Sequence, residues 1–312
     1  MAPLTRVDVH HHYFPPSLIM DRKGTSDWPL PKDFKWNSEA SIEAMDKLGI
    51  RKAILSLPIS TANAHDVNVN TSKIVAENPD RFGFFATLPL GHASMDVVLD
   101  ELRFALDELK ADGITIVSSY GDGLEAKYVG HDDYAPLWQA LHDRKAIVFL
   151  HGDQTKSGNA PPGNVLPVPI VEVPNETYKA AADLVTSGKK RKYSGAKIIL
   201  SHSGGSTPFL ACRVAVLSSY VGNTKFGSSL SVDEILEDFK SFYYETALSG
   251  YDVNLTALQK FVSEDHILFG TDLPAVTADM ARWFTENVDD FFADNQSLHS
   301  AVMSENWEKM QN

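Results

Sequence analysis

The sequence predicts an α/β protein built as one (β/α)8 TIM barrel, distorted by long loops after strands 1 and 5. Three observations lead to this prediction. Short apolar runs recur eight times, amphipathic helical patterns separate most of them, and the length of 312 residues suits one large barrel with insertions. No repeat or domain boundary interrupts the chain, so residues 1–312 are predicted to form a single domain.

The predicted strands follow one another at the spacing of strand-plus-helix units. They cover residues 7–12, 52–57, 82–88, 113–117, 146–151, 197–202, 242–246 and 266–271. Between them, apolar residues recur with a helical period, as in residues 95–110, 134–144 and 177–186. A doubly wound sheet is the main alternative. It is disfavoured because the turn after the first strand, at residues 13–16, lacks the glycines that bind a phosphate closely.

Two long irregular stretches follow predicted strands. One runs from Pro15 to about Ser38, and the other, rich in proline, runs from Gly152 to about Asn175. Barrel enzymes build their active sites from the loops at the carboxyl ends of the strands. We therefore expect both stretches to lie near an active site.

The charge balance and the single cysteine restrict the partners and the compartment. With 28 Lys and Arg against 41 Asp and Glu, the formal net charge is −13, which argues against binding to nucleic acid or to an anionic membrane. Cys212 is the only cysteine, as is common in a reducing compartment, and no apolar stretch is long enough for a membrane span or a signal peptide. We expect a cytoplasmic protein with no nucleic-acid or membrane partner.

Histidines and an aspartate stand at the ends of four predicted strands. Strand 1 ends with His10 and His12, which point to the same side because strand side chains alternate. Strands 5, 6 and 8 end with His151, His202 and Asp272. A single histidine at a strand end is usually structural, but four such strand ends at one mouth predict a mononuclear catalytic metal site.

The number and kind of metal ions follow from the same residues. Imidazole-rich ligation favours zinc, while carboxylate and water positions also admit manganese or magnesium. The fourth strand and the residues after it, 113–119, contain no lysine of the kind that often bridges two metals in such barrels. One divalent metal ion is therefore predicted.

Four segments of the chain together resemble a known family. They are residues 7–15, residues 197–205 followed by Pro208 and Arg213, residues 244–249, and residues 267–274. They are similar to the amidohydrolase-related (amidohydrolase 2) enzymes of the aminocarboxymuconate semialdehyde decarboxylase type. Within that family, residues 177–182 and 244–250 resemble the 6-methylsalicylate decarboxylases. The resemblance implies a non-oxidative decarboxylase with one divalent metal ion and no organic cofactor.

The resemblance also implies roles for single residues. His10, His12, His151 and Asp272 match metal ligands. His202 matches the catalytic acid or base that acts on metal-bound water. For an aromatic substrate, Asp272 is our hypothesis for the catalytic proton donor, and water held by His202 is the alternative.

Two positions bear on the substrate. Arg213 matches an arginine that reaches the substrate carboxylate, in some members across a dimer interface, although by itself it would be read as a solvated helix residue. A second arginine of the muconate-type enzymes is replaced here by Ser41. Its loss favours a small aromatic monocarboxylate, such as a salicylate, over a dicarboxylate. We accordingly expect a homodimer that acts on an o-hydroxybenzoate.

Two other functions remain open on the sequence. A metal-dependent hydrolase of the same superfamily, of the lactonase type, would use the same ligands to activate water. A binding protein that retains only the barrel is disfavoured, because every expected ligand position is filled. The C-terminal segment, residues 305–310, departs from the family pattern, which leaves its closing contacts and any part in dimerisation open.

Overall fold

The structure is a computed structural model that describes residues 5–15, 36–121, 123–153, 168–221 and 228–312. Its main sheet has eight parallel strands, each paired with the next in chain order. These are β1 (Arg6–His12), β2 (Ile50–Ser56), β3 (Phe82–Thr87), β4 (Gly113–Val117), β5 (Ile147–His151), β6 (Lys197–Leu200), β7 (Tyr243–Glu245) and β8 (Ile267–Leu268). The predicted (β/α)8 TIM barrel is confirmed.

Backbone hydrogen bonds between β1 and the segment after β8 bring the two ends of the sheet together. Val9 N donates to Phe269 O at 3.0 Å, and Asp272 N donates to His10 O at 2.8 Å. An isolated parallel bridge joins His11 to Leu273 further along. The carboxyl end of β1 is therefore held against the segment that carries Asp272.

Helices cover the outside of the sheet and follow most of the strands. They are α1 (Ser38–Lys47), α2 (Ala64–Glu77), α3 (Met95–Arg103), α4 (Ala135–Asp143), α5 (Val168–Thr186), α6 (Lys189–Lys192), α7 (Thr207–Tyr220), α8 (Val232–Lys240), α9 (Asp252–Phe261), α10 (Ala278–Phe292), α11 (Gln296–Ser300) and α12 (Asn306–Gln311). Several begin at side-chain caps that satisfy free backbone N–H groups, as Asn37 does for α1 and Ser231 for α8.

The prediction of an irregular stretch from Gly152 to about Asn175 is wrong in its last part, because α5 already begins at Val168. The density of prolines led to the error, but Pro169 lies in the first helical turn, where a missing N–H costs nothing. Pro174 lies inside the helix, where proline is normally excluded. Residues 154–167, and residues 16–35 of the first predicted loop, lie outside the described residues.

Two predicted strands end at least two residues earlier than expected. β6 stops at Leu200, and His202 begins a short 3-10 turn, His202–Gly204. β8 stops at Leu268, so that Asp272 lies beyond the strand. Both residues nevertheless remain at the carboxyl end of the barrel, because Ser201 N still donates to Leu150 O and Asp272 N to His10 O.

The inside of the barrel is packed with apolar side chains and is closed at its amino end by α12. Trp307 and Met310 of this helix belong to the same buried cluster as Val9 and Phe149. Asn306 anchors the helix by donating to Glu264 O at 2.8 Å and to Ile267 O at 2.9 Å. Burial of each large side chain contributes about 2–3 kcal/mol. The C-terminal segment thus seals one end and leaves the carboxyl end open for a site.

Among the described helices, none combines the length and the apolar composition that a membrane crossing requires.

Candidate metal centre and active site

Four side chains meet at the carboxyl end of the barrel, and they are the four that the family resemblance implies as metal ligands. His10, His12, His151 and Asp272 are buried, and one ligand atom from each lies within 4.8 Å of the others. Asp272 Oδ1 lies 2.8 Å from His12 Nε2 and 3.2 Å from His10 Nε2. The three imidazoles and the carboxylate suit one divalent cation, as in mononuclear catalytic sites.

Each histidine of the group is oriented by an oxygen atom that lies near its Nδ1, the ring nitrogen that does not face the other ligands. The Nδ1 atom of His10 lies 2.8 Å from Glu245 Oε1, that of His12 lies 3.2 Å from Ser56 Oγ, and that of His151 lies 2.8 Å from Gly152 O. An Nδ1–H that donates outward leaves the Nε2 lone pair free to bind a metal. The donor set therefore fits a divalent metal in ring orientation as well as in composition.

The electrostatics of the group favour a cation. Burial lowers the pKa of His12 and, with the charge of neighbouring His10, holds the pKa of His151 well below its usual value. Burial alone would raise the pKa of Asp272, but His10 and His12 hold it well below its usual range. Burial opposes a charge on His10 too, yet Glu245 and Asp272 raise its pKa to about 10. The two buried carboxylates, Glu245 and Asp272, therefore create a negative potential that favours a bound cation between these side chains.

His202 lies beside the group without being one of its four members. Its ring centre is 4.8 Å from that of His10 and 5.3 Å from that of His151. Its φ is +53° and that of Ser203 is +54°, a left-handed conformation that costs roughly 1 kcal/mol or more per residue. Burial, followed by the charge of His10, lowers the pKa of His202, so that a neutral imidazole faces the site at neutral pH.

A cavity of about 610 Å³ opens above these residues. His151, His202 and Asp272 form its polar floor. Its walls are mostly apolar and include Phe14, Ile170, Val173, Leu248, Val276, Met280 and Phe284. No lysine or arginine appears among the described residues that line it. A small aromatic acid fits this volume, and a cation held by the residues of the floor would neutralise the charge of the acid.

Two residues singled out in the sequence do not lie in this cavity. Arg213 is exposed on α7 and does not line it. Ser41 Oγ lies 2.7 Å from Nε2 of His11, whose Nδ1 lies 3.0 Å from Asp8 Oδ2, and Ser41 lines a separate cavity of about 70 Å³. Ser41 thus belongs to a buried polar network behind β1 rather than to the substrate cavity.

Glu245 is the residue of this site that the sequence analysis did not assign. It is completely buried at the end of β7 and contacts both His10 and the backbone of His202. The signal that identifies the other residues was present here as well, because Glu245 is a polar residue at the carboxyl end of a predicted strand.

The family profile described as amidohydrolase matches residues 7–310 of the chain. The chain belongs to the amidohydrolase family. This confirms the family expected from the four sequence segments.

Relatives that are named decarboxylases align with most of the chain. It is 39% identical to decarboxylase macB of Penicillium terrestre, over 93% of this chain and 90% of that protein. It is 36% identical to the 6-methylsalicylic acid decarboxylase acuB of Aspergillus aculeatus, over 91% of this chain and 89% of that protein.

A solved structure shares the fold over the full length. It is the dihydroxybenzoic acid decarboxylase of Polaromonas sp. JS666, with bound manganese and the inhibitor 2-nitroresorcinol, at a TM-score of 0.82 and 23% identity. The alignment covers 100% of this chain and 97% of that one. At this identity the similarity concerns the fold.

Proposed function

We propose that the chain is a metal-dependent, non-oxidative decarboxylase that releases CO2 from a small o-hydroxybenzoate of the 6-methylsalicylate type. The observation that carries the proposal is the convergence of His10, His12, His151 and Asp272 at the floor of an apolar cavity. The relatives of Penicillium terrestre and Aspergillus aculeatus, both named decarboxylases, support it.

The reaction replaces a carboxylate by a proton on the same ring carbon. A bound divalent cation would supply Lewis acidity toward the phenol oxygen and the carboxylate. The ring carbon takes up a proton and gives a ketone-like tautomer. The bond to the carboxylate then breaks, CO2 leaves, and the electron pair restores the aromatic ring as a phenolate, which takes up a proton from water to give the phenol.

Asp272 is the proposed proton donor to the ring carbon. Its side chain remains 10% exposed toward the cavity, and it is held ionised by the neighbouring imidazoles. It can therefore accept the proton of the substrate phenol and pass it to the adjacent ring carbon. His202, neutral and at the same floor, is the proposed alternative donor through a water molecule.

Zinc is the proposed metal, because three imidazoles and one carboxylate suit it. Manganese is the second candidate, since the Polaromonas decarboxylase holds it. Magnesium stands third, because it prefers oxygen ligands.

The proposed assembly is a homodimer through α7. Phe209, Val216, Leu217 and Tyr220 are all exposed on this helix, between 46% and 87%, and Arg213 lies among them. Such an apolar face is typical of an interaction surface. With a second copy docked there, we propose that Arg213 reaches the carboxylate of the partner's substrate, as the family resemblance implies. The single domain and the cytoplasmic location remain expectations from the sequence.

The test uses metal-free protein restored with zinc, manganese or magnesium and assayed against salicylates and lactones. We expect CO2 and the corresponding phenol from 6-methylsalicylate, with turnover only after a metal is restored. Ring opening of a lactone without CO2 release from any salicylate would favour a hydrolase of the same superfamily and overturn the proposal.

A further inference from the structure

A single carboxylate connects the proposed metal site to the turn that carries His202. Glu245 has no exposed surface, and its two oxygens accept three N–H groups. Oε1 lies 2.8 Å from Nδ1 of His10 and accepts from the backbone N–H of His202 at 2.5 Å. Oε2 accepts from the backbone N–H of Ala247 at 2.6 Å.

The contact with His10 determines which ring nitrogen is available to a metal. An acceptor at Nδ1 keeps a proton there, so that Nε2, which faces His12 and Asp272, is the ring nitrogen available to a metal. A donor at the same place would favour the opposite tautomer, which cannot bind a cation through Nε2. Glu245 therefore controls the ligand state of His10.

The contacts with His202 and Ala247 hold the other side of the site. His202 Nδ1 lies 3.3 Å from Ala247 O, so that Glu245 binds both the backbone of His202 and the residue that orients its ring. The left-handed φ of His202 and Ser203 is strained, and the contact with Glu245 is one of the restraints that hold it. One carboxylate thus supports the position of the proposed acid or base.

The position of Glu245 requires glycine on the neighbouring segment. A Cβ atom at Gly270 would lie 2.1 Å from Glu245 Oε2 and 2.9 Å from the Cβ of His10. The close approach of the segment after β8 thus depends on the missing side chain at position 270.

A second cation between His10, His202 and Glu245 is the competing interpretation, since potential ligand atoms of the three lie within 4.8 Å of one another. Glu245 accepts hydrogen bonds from three N–H groups. Two of them belong to the backbone, and a backbone N–H cannot bind a metal. The arrangement of donors therefore favours a hydrogen-bonding role for Glu245.

We infer that Glu245 is the positioning residue that couples the metal ligand His10 to the acid or base His202. The kinetic part of this inference rests on the proposed function, because it concerns how the residues of the proposed active site are held in position. Glu245 touches no substrate in this account and acts through the two histidines.

The test compares Glu245→Gln with a matched control. An amide has one acceptor oxygen, so an NH2 group must face His10 Nδ1 or a backbone N–H. The control is Glu101→Gln, because Glu101 is also buried and also lies 2.8 Å from a histidine Nδ1, that of His65. Both variants are compared with the wild type by zinc competition against a chelator and by turnover at saturating zinc.

For Glu245→Gln, we expect a zinc dissociation constant that is about 10–100 times higher, as for other partners of metal-binding histidines. We also expect kcat to stay at least about tenfold lower at saturating zinc, because His202 has lost its restraint. Glu101→Gln keeps wild-type values of both. Wild-type zinc affinity and kcat in Glu245→Gln would overturn the inference, as would equal losses in both variants.

Nuclear magnetic resonance of the zinc-loaded wild type tests the His10 contact without any substitution. We expect a downfield Nδ1 proton of His10 that exchanges slowly with water, as a buried hydrogen bond requires. A rapidly exchanging proton would overturn the inference even if Glu245→Gln does not fold. If the wild type releases no CO2 from any salicylate, the proposed function fails, while zinc affinity and the His10 proton still decide the role of Glu245.

Discussion

Nε2 of His12 lies 2.8 Å from Oδ1 of Asp272, at the seam where the first barrel strand meets the segment after the last one. The same seam is joined by backbone bonds, since His12 N donates to Leu273 O at 2.6 Å and Asp272 N to His10 O at 2.8 Å. Two proposed metal ligands thus come from opposite ends of the sheet. A cation bound between them would hold the barrel closed.

Metal binding is therefore expected to stabilise the fold through this seam. Zinc added to metal-free wild type raises the unfolding temperature, with a stabilisation of about 3 kcal/mol at one hundred times its dissociation constant. His12→Ala loses this rise, and its zinc content falls from about one ion per chain by at least about tenfold. Differential scanning calorimetry and elemental analysis measure both quantities.

His65→Ala is the control, because His65 is a half-exposed histidine that pairs with Glu101 away from the cavity. It should keep the zinc-dependent rise. A His12→Ala protein that still binds one zinc ion and is stabilised by it would contradict the ligand assignment.

Asp272→Asn separates metal binding from proton transfer. The amide retains an oxygen toward the metal but cannot carry the proton, so kcat should fall by about 10²–10⁴-fold even when excess zinc keeps the site filled. Zinc content and kcat are measured on the same preparation. Full turnover by a zinc-loaded Asp272→Asn protein would exclude Asp272 as the donor and favour water held by His202.

The exposed face of α7 should be the dimer interface. Leu217→Asp places a charge on this face, where the leucine is 48% exposed, and we expect a monomer in light scattering. Val97→Asp is the control, because Val97 is 51% exposed on the distant helix α3. If Arg213 reaches the partner's substrate, the Leu217→Asp monomer also loses kcat/KM. A monomeric wild type would refute this assembly.

The buried side chain of Lys190 predicts how the free energy of unfolding depends on pH. It is only 5% exposed, its ammonium lies 5.0 Å from the centre of the Phe242 ring, and burial lowers its pKa to about 8 from 10.5. Below about pH 8, Lys190 is charged in both the folded and the unfolded chain, so that burial of the charge destabilises the folded chain by its full free energy. Between that pH and about 10.5 the unfolded chain holds more protons, so stability rises with pH.

Lys190→Met should remove this cost. We expect its free energy of unfolding to exceed that of the wild type at neutral pH by up to about 3 kcal/mol, and the difference to shrink toward about pH 10. Urea denaturation at the two pH values measures it. Asp238 keeps a charged partner in the variant, because Arg191 Nε donates to it at 2.9 Å. A variant that is less stable than the wild type at both values would contradict the assignment.

The sequence was sufficient for the parts of the site that follow from strand periodicity. His10, His12 and His151 end strands, and alternation alone brings the first two to one side. Asp272 was predicted at the end of a strand, but it reaches the site because the segment after β8 pairs with β1.

Other parts depend on packing between distant segments. Glu245 stands at the carboxyl end of a predicted strand like the other site residues, but its contacts with His10 and with the backbone of His202 become visible only in the folded chain. The start of α5 at Val168 could not be predicted, because prolines occur in its first turns and their effect depends on their position in the helix. A role of Arg213 at a substrate would require a second chain, because Arg213 does not line the cavity of its own subunit.

The central claim is that these residues bind one divalent metal ion, and anomalous scattering at the zinc edge from zinc-loaded crystals tests it most directly. We expect one peak per chain, at about 2.0–2.2 Å from Nε2 of His10, His12 and His151 and from a carboxylate oxygen of Asp272. A zinc-loaded protein with no peak between these four side chains, or with its peak elsewhere in the chain, would contradict the account.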